Sequence, residues 1–137
     1  MSPNKETARH QQLNDILSEA IKLFSERQFL ASQELLNSAL RDNPTSAKLH
    51  NVKGACLAEL GKINEAIDCY RRSTKLDPSY AQAYNNIGVI FEKIGKHDEA
   101  LQSFDAAIKN FSFLIIFSLP LTSILVFKKS FKQNIDQ

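Results

Sequence analysis

The residues able to do chemistry are few and scattered. Histidines stand at His10, His50 and His97, and cysteines at Cys56 and Cys69. A nucleophile needs a base within hydrogen-bond reach and a third group to orient that base. No histidine here falls into such a pattern with a serine or cysteine and an acid. The cysteines lack CxxC spacing and no histidine accompanies them at metal-ligand spacing, so neither a metal nor a redox centre is expected. They read as buried, reduced thiols of a cytosolic protein. A glycine-rich phosphate loop and an HExxH helix are both absent from the sequence. Neither catalysis nor a cofactor is therefore expected. What remains is recognition by side-chain amides. Asn51, Asn85 and Asn86 each carry a donor and an acceptor, a pair that suits a peptide backbone of any sequence. Asparagine is a mediocre helix former, so its presence on a helix needs a reason. A solvated helix face is the competing reading.

The chain that must position these amides has 137 residues, the size of one domain. It has only 4 glycines and 4 prolines and no tryptophan, a balance that favours an all-helical fold. Its net charge of +2 arises beyond residue 110, where Lys128, Lys129 and Lys132 oppose Asp136. Residues 1–110 hold 14 cationic and 14 acidic side chains, so no basic field collects nucleic acid there. The start, MSPNKETARHQQ, has no apolar run and is not expected to be a secretory signal.

Self-comparison shows a period of 34 residues. Residues 47–80 set over 81–114 give identities at Ala47/Ala81, Asn51/Asn85, Gly54/Gly88, Gly61/Gly95, Glu65/Glu99 and Ala66/Ala100. Tyr70/Phe104, Leu57/Phe91 and Ile67/Leu101 agree in kind. A weaker copy occupies 13–46, with Ala20 in the place of Gly54, Leu36 in that of Tyr70 and Pro44 in that of Pro78. Each copy reads as two helices. Apolar residues recur at three and four along both halves, Gly61 or Gly95 ends the first helix, and Asn43-Pro44 or Asp77-Pro78 ends the second. Gly54, Gly88, Ala66 and Ala100 are small where paired helices cross, and Tyr70 and Phe104 fill the adjoining hollow. His97 stands in the register of Phe29 and Ile63, and packing is its expected role.

These features resemble tetratricopeptide repeats. The period, the small residues Gly54, Gly88, Ala66 and Ala100, the aromatics Tyr70, Tyr84, Phe91 and Phe104, and the Pro78 boundary carry the resemblance, with Ala107 completing the third copy. The first copy departs from it: Arg27 replaces the turn glycine, Ser32 the alanine and Ile16 the aromatic of Tyr84. The division expected is a polar extension or helix start at 1–12, repeats at 13–46, 47–80 and 81–110, a hydrophobic segment at 111–127 and a basic tail at 128–137. The resemblance implies an all-α, right-handed superhelix of antiparallel helix pairs, a solenoid whose first helices line a concave groove for a partner's peptide or helix. In that register the groove holds Asn14, Leu17, Ser18 and Ile21 in the first copy. The second contributes Lys48, Asn51, Val52, Ala55 and Glu59, and the third Gln82, Asn85, Asn86, Val89 and Lys93.

Repeats of this family that grip acidic chaperone C-termini use a clamp of lysine, asparagine and arginine. The matching places here hold Leu17, Ile21, Val52, Gln82 and Asn86, of which only Asn86 is of the right kind, so chaperone peptides are not expected partners. The resemblance implies an adaptor that binds other proteins. It also allows a product of a longer scaffold or enzyme, such as the substrate-holding arm of a glycosyltransferase.

The style of the sequence changes at Phe111. From there to Phe127 twelve of 17 residues are Phe, Leu, Ile or Val and none is charged. As a helix this stretch is about 25 Å long, slightly short of a bilayer core. Three readings stay open: a tail anchor holding a cytosol-facing domain to an organelle membrane, a lid on the third repeat, or an alternative terminus unrelated to the repeats.

Overall fold

The computed structural model describes residues 4–118, with side chains to Phe111. Six helices follow in order: α1 (Lys5–Ser25), α2 (Phe29–Asp42), α3 (Ala47–Glu59), α4 (Ile63–Leu76), α5 (Ala81–Lys93) and α6 (His97–Ser118). No strand occurs among the described residues. The links between helices are short, which turns each helix back against its predecessor. Residues 5–12 form the opening turns of α1 rather than a separate extension.

The turns obey the glycine rule with one exception. Gly61 and Gly95 both sit at φ 77°, in the left-handed region. There Lys62 N–H reaches Leu57 O at 2.9 Å and Lys96 N–H reaches Phe91 O at 2.8 Å, closing the helix end. Arg27 takes the same place in the first copy with φ 61°, and Gln28 N–H bonds Leu23 O at 2.8 Å. The turn thus forms without glycine, at the strain that a Cβ brings to this region.

Within a copy, packing follows the volumes read from the sequence. A Cβ built on Gly54 would meet Tyr70 Cε1 at 2.7 Å, and one on Gly88 would meet Phe104 Cε1 at 2.6 Å. Glycine is required at both places because the aromatic ring lies on the bare backbone. In the first copy Ala20 faces a smaller Leu36, and both are fully buried. Ser32 is buried there too, and its hydroxyl donates to Ala20 O at 2.8 Å. The Cys56 thiol donates in turn to Ser32 Oγ at 3.3 Å, tying the second copy to the first. Burial pushes the Cys56 thiol above its ordinary pKa, with the Ser32 contact opposing.

The copies are joined by two separate cores. Leu17, Ala20, Leu36 and Ala39 of the first copy enclose Leu49 and Cys56 of the second. Leu57, Ala66, Ile67 and Tyr70 of the second enclose Ile87, Ile90, Phe91 and Ala100 of the third. A bundle would gather these residues around one centre; a stacked array distributes them between neighbours.

One expectation changes. His97 is not a packing residue: it lies exposed, with Nδ1 at 3.1 Å from Glu92 Oε2. Phe29 is half-buried against Phe24 and Ile63 against the core that joins the second and third copies, whereas no described copy follows His97. α6 runs unbroken through Ser118, since no proline interrupts it there. The rest of the expected hydrophobic segment, 119–127, and the basic tail 128–137 lie outside the described residues. Among those described, no helix is long and apolar enough to cross a membrane.

Candidate partner-binding groove

The first helix of each copy carries the residues assigned to the groove. α1 packs on α3, and α3 on α5, so the three lie side by side. Asn14, Ser18, Ile21, Lys48, Glu59, Gln82, Asn85, Val89 and Lys93 are exposed. Val52, Ala55 and Asn86 are half-buried, and Leu17 is buried in the first core. The clamp positions therefore present a hydrophobic side chain at Ile21, which is 53% exposed, and neutral amides at Gln82 and Asn86.

The amides are linked rather than independent. Asn86 Nδ2 donates to Asn51 Oδ1 at 3.0 Å across the α3–α5 contact. Gln82 Nε2 donates to Asn86 Oδ1 at 3.2 Å, one turn along α5. The result is a row of three amides spanning two copies. Its inner end is protected and its outer end open.

Asn51 departs from the sequence expectation. It is 6% exposed, because α5 covers it, and its oxygen is taken by Asn86. Its neighbour Tyr80 is half-buried, and burial pushes that phenol above its ordinary pKa, with a hydrogen bond from Asn51 opposing and Asp77 adding to the rise. Asn85 also stands apart from the row. It lines a cavity of about 650 Å³ together with Tyr80, Gln82, Ala107, Ile108 and Phe111, between the start of α5 and α6. The reason lies in the register: Asn85 repeats Asn51 one copy later, and no described helix covers it as α5 covers Asn51.

Gln82 was placed in the groove from the sequence, but its bond to Asn86 and the nearness of Tyr80 to Asn51 were not foreseen. The spacing of Gln82 and Asn86, four residues apart on one helix, held the signal for the first. Tyr80 lies in the link before α5 and followed from no periodicity. Among the described residues no cluster of histidine, cysteine and acidic side chains could hold a metal.

Known proteins match this architecture. Models of tetratricopeptide repeats match residues 17–73 and 81–111, and a model of the TPR repeat matches 54–95. The probable UDP-N-acetylglucosamine–peptide N-acetylglucosaminyltransferase SPINDLY of Arabidopsis thaliana is 31% identical over 108 residues, 79% of this chain and 12% of that protein. The peroxisomal targeting signal receptor of Saccharomyces cerevisiae is 39% identical over 67 residues, 49% of this chain and 11% of the receptor. This chain thus spans about an eighth or less of either relative. Among solved structures, the second TPR of Spaghetti (RPAP3) bound to the HSP90 peptide SRMEEVD superposes with a TM-score of 0.67 at 21% identity, over 77% of this chain and 97% of that one. The 34-residue period, the glycine–aromatic crossings, the two inter-copy cores and these matches agree: the chain belongs to the tetratricopeptide-repeat family.

Proposed function

We propose that the chain is a non-catalytic adaptor that holds a peptide or helix of another protein in a right-handed concave groove along α1, α3 and α5. The observation that carries the reading is the amide row. Asn86 donates one N–H to Asn51 and accepts from Gln82, which leaves Gln82 Oε1 and the second N–H of Asn86 available to a ligand. An acceptor and a donor one turn apart suit the backbone of an extended segment. Ile21 and Val89 supply apolar contact beside them, and Lys48, Glu59 and Lys93 place charges of both signs at the margins. The structural relative bound to SRMEEVD holds a strongly acidic peptide. This groove has no cation at the clamp positions, so its ligand is a neutral or mixed-charge segment rather than an acidic chain end.

A second reading is favoured by a different observation. The match to the SPINDLY transferase covers 79% of this chain and only 12% of that protein. In that reading the array is an arm of a longer scaffold or enzyme and presents a substrate to activity located elsewhere. Both readings use the same groove.

Peptides selected by display against the full chain test the groove. Val89→Asp and Gln82→Ala are expected to weaken a selected peptide by about tenfold or more, the loss of about 1.4 kcal/mol. Leu101→Asp, on the far side of α6, is expected to leave its affinity unchanged. Equal losses from all three substitutions, or none from the first two, would refute the groove.

A further inference from the structure

Each first helix turns one side towards the copy before it. Leu49 and Cys56 do so on α3, Ala83 and Ile90 on α5, and all four are buried. The same register on α1 holds Asp15 and Lys22, both exposed. The leading end of the array is therefore closed by charge. The trailing end is the reverse. Leu101, Ile108 and Phe111 of α6 are each about three-fifths exposed, and Ile94 beside them is 45% exposed. Leu101 and Ile108 are two turns apart and form one line along the helix. Asp105 and Lys109 follow the flank of that line, and among the described residues neither forms an ion pair. α6 has 22 residues where α2 and α4 have 14 each. At about 1.5 Å per residue it outreaches them by about 12 Å.

We propose that this trailing face pairs with the same face of a second copy, α6 against α6 antiparallel, across a two-fold axis close to Ile108. A head-to-tail stack would set the apolar Leu101 and Ile108 against Asp15 and Lys22, stripping those charges of water. The two-fold arrangement sets apolar line against apolar line. In antiparallel helices related by such an axis like flanks meet, so Asp105 of each copy comes opposite Lys109 of the other. The pairing extends the apolar stacking that already joins the second and third copies. Only a few large side chains contribute, so the dimer is weak and dissociates on dilution.

Sedimentation of the full chain over a concentration series tests the proposal, and a monomer–dimer equilibrium is expected. Ile108→Asp is expected to abolish the dimer. Asp105→Lys and Lys109→Asp, made singly, each place like charges together twice by symmetry and are expected to weaken it by about tenfold or more. Both reversals in one chain are expected to restore it. Circular dichroism of dilute samples reports whether each variant keeps its helices, and the charge reversals decide the matter if Ile108→Asp does not fold. A full chain that stays monomeric at every concentration overturns the proposal. So does a dimer that the double reversal fails to restore, or a chain recovered as a monomer inserted in phosphatidylcholine vesicles.

Discussion

Ile67 and Leu101 occupy the same register place, 34 residues apart, on α4 and α6. Ile67 is 7% exposed and Leu101 62%. Asn51 and Asn85 form a second such pair, the first enclosed and bonded, the second open beside the α5–α6 cavity. The residue types hardly differ within either pair. The difference is the presence of the next helix, which covers α3 and α4 and for which no described residue exists beyond α6. In a repeat array burial belongs to the neighbour as much as to the residue.

That contrast can be broken most directly by truncating its two members. Ile67→Ala is expected to cost about 2–4 kcal/mol, because it removes buried methylenes and leaves a hole between two copies. Leu101→Ala is expected to cost less than about 1 kcal/mol, as an exposed side chain loses little contact. Thermal or urea unfolding of both variants measures the gap. Equal losses would mean that α6 is covered after all.

The asparagine pair gives a smaller gap. Asn86→Ala strands the Oδ1 of buried Asn51 and is expected to cost about 1–2 kcal/mol. Asn85→Ala is expected to fall within about 0.5 kcal/mol of the parent. Urea midpoints settle it, and an inert Asn86→Ala would show that Asn51 finds another donor.

The smallest effect at neutral pH concerns Tyr70 and its counterpart Phe104. Burial holds the Tyr70 phenol well above the ordinary 10.0. The folded state keeps this proton more tightly than the unfolded chain does. The stability it contributes is therefore complete below pH 10.0 and is lost as pH rises beyond it. Tyr70→Phe, which copies the register of Phe104 over Gly88, is expected to leave neutral stability nearly unchanged and to flatten this alkaline decline. An alkaline melting profile identical in the two proteins would exclude Tyr70 as its source.

Much of the fold was legible because it depends on local periodicity. Gly61 and Gly95 marked turns that need a left-handed residue, and Gly54 and Gly88 marked crossings where a ring lies on backbone. The groove was legible only in outline. Gln82, Val89 and Lys93, which register assigned to the groove, are exposed on α5, whereas the environments of Asn51 and His97 depend on a neighbouring copy. One copy's sequence carries no information about what covers it.

By itself the sequence determined six helices in three pairs, where they turn, and which side chains are small enough for the crossings. These follow from backbone propensity and volume, which act over a few residues. The tertiary structure alone decided that Asn51 is enclosed, that Asn86 and Gln82 form one row with it, and that one end of the array is charged and the other apolar. Those outcomes rest on contacts between residues about 35 apart, where stacking determines which surface water can still reach.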